Sequence, residues 1–164
     1  MKGPFAIRKL GFTGTRNGLS ENQRAWLAME LQCNPPDKAA HGDCVGADAD
    51  FHSLVRLYAP KCEIHIWPSL FEKLRAHCHG DVMYEPGKAG ERDKLIVKFA
   101  THFVGCPPTD FEVVRSGSWQ TLRMARNRLN KGLLKELHWI GPKGPAIPGD
   151  WRQRPDYRPP RGDT

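Results

Sequence analysis

The chain has 164 residues, 39% of them hydrophobic, and a net charge of +7. That length fits one domain, and no apolar run approaches the ~18–20 residues a membrane-spanning helix needs. Basic charge favours polyanionic partners such as nucleotides, phosphorylated metabolites or nucleic acid, although Arg152, Arg154, Arg158 and Arg161 put part of the excess in residues 151–164.

Residues 1–10 hold basic residues but no apolar stretch of signal-peptide length. The five cysteines, Cys33, Cys44, Cys62, Cys78 and Cys106, are odd in number, scattered and free of any CxxC pair. Reduced thiols and a cytoplasmic location are therefore expected rather than a disulfide framework.

Residues 7–13 read as a first strand, ending in Gly11-Phe12-Thr13-Gly14-Thr15-Arg16. Ser20 followed three residues later by Gln23 is a capping-box pattern, and a helix should run from there to about residue 33, stopped by Asn34-Pro35-Pro36. Residues 38–41 form a short second strand leading into Gly42-Asp43-Cys44-Val45-Gly46-Ala47-Asp48. A helix over 47–58 follows, with Phe51, Leu54, Val55 and Tyr58 at helical spacing. Residues 63–67 alternate as a third strand. Residues 70–77 could be a helix and 80–90 a loop. A helix is expected over 91–99, a strand over 101–105 closed by Cys106-Pro107-Pro108, a helix over 119–130 and a strand over 133–140. Prolines and glycines dominate from 141 onward, so 1–141 is the expected domain and 142–164 an extended tail.

Strands alternating with helices in this way imply an α/β fold: a Rossmann-like three-layer domain with a mostly parallel sheet of about five strands. Ligands of such sheets sit outside the carboxyl ends of the strands, and three glycine-bearing turns fall there. In the first, Gly14 and Thr15 could cradle a phosphate with backbone N–H groups and a hydroxyl, and Arg16 could pair with it bidentately; the alternative is an ordinary strand-to-helix turn. The sequence there is neither a P-loop nor the GxGxxG fingerprint. In the second, with Gly42 and Gly46, Asp43 is the better candidate to accept from ribose hydroxyls, and Asp48 suits a helix cap. In the third, Ser116, Gly117 and Ser118 precede a helix, and Trp119 either stacks on a base or packs in the core.

His41-x-x-Cys44, Cys62-x-x-His65 and His77-Cys78-His79 have locally plausible metal spacing. Cys62 and His65 lie on a strand, however, where i and i+3 point to opposite faces. Buried thiols and ordinary histidines are the preferred reading, so neither a metal nor another cofactor is expected.

Taken together, GFTGTR, HGDCVGAD, ERDKLIV and SGSW resemble the SLOG superfamily, Rossmann-like proteins that include LOG, YpsA-like, YspA-like and DprA members. The resemblance spans about residues 8–140, and residues 41–48 carry its most specific element. Residues 91–97 resemble the family's Arg-Asn-Arg-x-Ile-Val segment, with Arg92 and Lys94 at the basic positions and Asp93 replacing Asn. The resemblance implies a nucleotide or nucleotide-derived ligand, a sensor or sequestering role, a bacterial or phage setting and a homodimer or higher homo-oligomer. It also implies two alternatives: an N-glycosidase releasing a base from a nucleotide, and a DprA-like nucleic-acid binder. Enzymatic members carry a Glu after Gly-Thr-x-x that Trp119-Gln120-Thr121 lacks. Hydrolysis would need a substitute carboxylate, with Asp43 and Glu91 as catalytic candidates.

Overall fold

A computed structural model describes residues 3–145. Its strands are β1 (Lys9–Gly14), β2 (Lys38–His41), β3 (Glu63–Ile66), β4 (Val82–Met83), β5 (His102–Cys106), β6 (Glu136–Gly141) and β7 (Gly144–Pro145). Its α-helices are α1 (Glu21–Cys33), α2 (Ala47–Tyr58), α3 (Ala89–Phe99) and α4 (Gly117–Asn130). The sheet order is β4-β3-β2-β1-β5-β6-β7. Every pairing from β4 to β6 is parallel, and β7 closes the edge antiparallel to β6.

The expected Rossmann-like α/β architecture is present, with two more strands than expected. β4 and β7 are two residues each, too short for hydrophobic alternation to reveal. The sheet also runs past the expected boundary at 141. Pro142 O accepts from Ser20 Oγ at 2.8 Å, and Lys143 N donates to Asp110 Oδ1 at 3.1 Å. Of the expected tail, residues 146–164 lie outside the described residues. Among those described, no helix is long and apolar enough to cross a membrane.

Strand alternation builds the two cores. Leu10 and Phe12 of β1 with Ile64 and Ile66 of β3 pack under Leu27 and Leu31 of α1 and Phe51, Leu54 and Val55 of α2. On the opposite face, Trp67 and Phe103 pack with Ile96 and Val97 of α3 and Trp119, Leu122 and Ala125 of α4. Cys62 belongs to the first core, whereas the ring of His65 lies beside Trp67 and Phe99. The two side chains are thus on opposite faces, as the strand period requires.

The helix starts follow their capping chemistry. Gln23 N donates to Ser20 Oγ at 3.2 Å and Ser20 N to Gln23 Oε1 at 2.9 Å, completing the capping box. The buried Gln23 amide also donates to Pro107 O and Ile140 O, tying α1 to the ends of β5 and β6. The helix considered for 70–77 shrinks to a 3-10 turn, Glu72–Leu74. Backbone bonds from Val45 N to Leu74 O (2.9 Å) and from Ala76 N to Asp43 O (2.7 Å) strap this segment to the 42–46 turn instead.

Candidate functional site

Strand order reverses between β1 and β5: the chain steps from β1 to β2, β3 and β4 on one side, then returns to β5 and β6 on the other. Gly14 and Cys106, at the carboxyl ends of β1 and β5, are paired in register. In an open α/β sheet that reversal leaves a crevice suited to a ligand.

The first two turns lock onto each other beside it. Ala47 N donates to Thr15 O at 2.9 Å. Gly46 has φ of +94°, and a Cβ there would collide with the Arg16 backbone, so only glycine permits the contact. Arg16 is exposed; burial and Asp48 push the nearby Cys44 thiol up against the pull of Arg92 and Arg16.

Arg92 of α3 clamps the second turn from below. It is only 5% exposed. Its Nη1 donates to Gly42 O at 2.7 Å and Trp67 O at 3.1 Å, and its Nη2 to Cys44 Sγ at 3.7 Å. A Cβ on Gly42 would stand 2.7 Å from that Nη1, so glycine is also needed here to admit the guanidinium. From α2, Asp48 accepts from Cys44 N at 3.1 Å. Asp48 therefore reaches back to brace the turn, and the helix N-cap is Gly46. Burial pushes the Asp48 carboxyl up to about 7, against the pull of the Cys44 N–H and of Arg92.

Asp43 sits in the left-handed region (φ 56°) and is fully buried. Its carboxylate accepts from Cys78 N at 2.9 Å and Arg75 Nε at 3.3 Å. This candidate for ribose or catalysis thus holds the loop 75–78 instead of presenting a carboxylate. Glu91 and Lys94 are exposed on α3.

The third turn is the N-terminus of α4. Ser116 caps it by accepting from Trp119 N, and Ser118 Oγ lies 3.5 Å from Ser116 Oγ. The first turn of α4 holds no acidic residue, while those of α1, α2 and α3 contain Glu21, Asp48 with Asp50, and Glu91. Its positive dipole end is therefore not offset by a carboxylate in that turn. Trp119 is fully buried, edge-on to Trp139, with Nε1 donating to Thr109 Oγ1 at 2.8 Å. Core packing, rather than stacking on a base, is its role.

Asp93 is half-buried on α3, and burial pushes its carboxyl up against the pull of Arg92. Contacts consequently run from the first turn to the second and through Arg92 to α3. The inward side of α3 is legible in the sequence: apolar Ile96 and Val97 are buried, and 92 and 93 lie one helical turn before them on the same face.

One metal-like cluster lies away from the crevice: the side-chain ligand atoms of His41, His52 and Cys78 all fall within 4.8 Å of one another. The tautomer does not fit a metal. Asp43 N–H donates to His41 Nδ1 at 2.9 Å, so neutral His41 carries its hydrogen on Nε2 and gives it to His52 Nδ1, 2.9 Å away. Metal-bound imidazoles normally donate from their second nitrogen; here that nitrogen accepts. Cys78, its thiol pushed up to about 12 by burial and by Asp43, also lines a recess of about 300 Å³ with Arg75, His77, His79, Gly80 and Met83. None of the glycine-turn residues lines that recess.

No protein-family model matches the chain, and no curated protein is significantly similar to it.

Proposed function

We propose that the crevice between the ends of β1 and β5 binds a nucleotide or nucleotide-derived ligand, and that the protein senses or sequesters it. The observation that carries this reading is that two glycine-bearing turns lock onto each other beside the one reversal of strand order. The α4 N-terminus and Arg16 offer positive charge for a phosphate. The braced Gly42–Gly46 turn makes a rigid wall, which lowers the ordering cost of binding. The resemblance to SLOG proteins points to the same ligand class and is the ground for expecting a homodimer. All five cysteines are free thiols, which suits a reducing cytoplasm.

Binding and hydrolysis separate in one experiment. The protein is incubated with nucleoside mono-, di- and triphosphates and with NAD-derived and cyclic nucleotides, following melting temperature and base release by chromatography. The expected result is a ligand that raises the melting temperature and is recovered intact. Arg16→Ala should weaken that ligand by roughly 10-fold or more, the worth of a charge-assisted hydrogen bond, and leave the unliganded melting temperature within about 2 °C, since the residue is exposed. Base release would make the protein an N-glycosidase. Silence with every nucleotide, joined to salt-sensitive binding of single-stranded DNA, would favour nucleic acid.

A further inference from the structure

The recess lined by Arg75, His77, Cys78 and His79 shares no residue with the glycine turns. Its wall is held at two points. Ala76 N donates to Asp43 O at 2.7 Å, and Cys78 N donates to Asp43 Oδ1 at 2.9 Å. Between those anchors His77 lies in the left-handed region (φ 58°), a costly conformation for a residue with a Cβ and one that recurs at ligand clamps. The buried Asp43 carboxylate takes the Nε of Arg75 at 3.3 Å. The Nη1 and Nη2 of Arg75 have no hydrogen-bond partner among the described residues, and neither atom is buried. The guanidinium is thus fixed along one edge, and its two outer nitrogens remain open.

The charges around the recess favour an anion. Asp43 is engaged by Arg75 and Cys78 N, and Asp81 accepts from Arg56 Nη1 at 3.0 Å and Ile64 N at 2.7 Å. Arg56 Nη2 donates to His79 O at 2.8 Å, bringing a second guanidinium to the rim. The Cys78 thiol, pushed up to about 12, carries no charge near neutrality. Glu72 lies 3.4 Å from His77 Nε2, but it is 75% exposed, and such a surface pair contributes little. The Arg75 nitrogens and the rings of His77 and His79 then offer donors from three residues. Three donor groups suit a tetrahedral phosphate better than a planar carboxylate, and a guanidinium binds phosphate oxygens bidentately. A volume of about 300 Å³ is at the lower end for ligand pockets, and the half-exposed Met83 side chain gives an apolar edge. We propose that this recess binds a small phosphate-bearing anion, either inorganic phosphate or a compact phosphate monoester, held by Arg75, His77 and His79. The site is separate from the crevice and does not depend on the nucleotide reading.

The test titrates the full chain with inorganic phosphate, glycerol 3-phosphate and acetate at constant ionic strength, following backbone amide shifts. Wild type should give a saturable change centred on residues 75–80 with both phosphates. Tighter binding of glycerol 3-phosphate would identify a monoester as the ligand, and equal or weaker binding would identify the free ion. Arg75→Ala should weaken phosphate by about 10-fold or more, the worth of a charge-assisted hydrogen bond. That change also strips Asp43 of its cation, so His79→Ala is the second variant. His79 is exposed; its loss should weaken phosphate by about 3-fold and leave the melting temperature unchanged. Unaltered affinity in both variants, or acetate binding as tightly as phosphate, would overturn the inference. So would shifts at Arg16, Gly117 and Ser118 with none at 75–80, a result that would leave the crevice reading standing. Failure of every nucleotide at the crevice would overturn that reading and leave this site intact.

Discussion

His41 and Asp48 flank the same turn and titrate in opposite senses. His41 is buried as the neutral tautomer that Asp43 N–H and His52 require, and burial holds its pKa down near 3. Protons taken up below about pH 6.5 then go to the unfolded chain, so this group's stabilisation is present above 6.5 and lost as pH falls toward 3. Asp48 is the reverse. With its folded pKa raised to about 7, its contribution is fully present below about 4 and lost as pH rises through 7. Each can change stability by up to about 1.4 kcal/mol per pH unit, so between pH 4 and 6.5 they offset each other. In urea unfolding from pH 7 to 5, His41→Asn should therefore gain stability on acidification relative to wild type, and Asp48→Asn should lose it. Parallel pH profiles for all three proteins would contradict this assignment.

Elements meet here through small residues placed on the sheet. Gly105 of β5 lies under α4, and a Cβ added there would stand 2.7 Å from Leu122 Cγ, closer than atoms tolerate. Leu122 is fully buried, so it has little room to retreat. Gly105→Ala should cost about 1–3 kcal/mol as overpacking, measured as a lower urea midpoint at unchanged m-value. It should also push α4 outward and weaken any ligand held at its N-terminus. Gly11 repeats the device on β1, where an added Cβ would stand 2.6 Å from the Phe103 ring. The capping box and the apolar face of α2 are legible in the sequence because both are local patterns. The 3-10 turn at Glu72–Leu74 is not: its backbone groups pair with a turn about thirty residues earlier.

For the whole molecule, topology turns local signals into a site. The three glycine turns could be read from sequence: the first two end strands and lead into helices, and the third opens α4. What fixes the second of them in place could not. Arg92 reads as a ligand-binding base until its partners Gly42 O and Trp67 O are known. Asp43 reads as a free carboxylate until Arg75 and Cys78 are seen to hold it. Both are long-range contacts with no periodic trace.

The central claim, a ligand site at the strand-order reversal, is tested most directly by backbone amide chemical shifts during titration with the nucleotide that best raises the melting temperature. The largest shifts should fall on Gly14 to Arg16, Gly42 to Gly46, and Gly117 with Ser118. Shifts centred instead on the recess around Arg75, Cys78 and Met83, or spread along the outer face of α4, would contradict it.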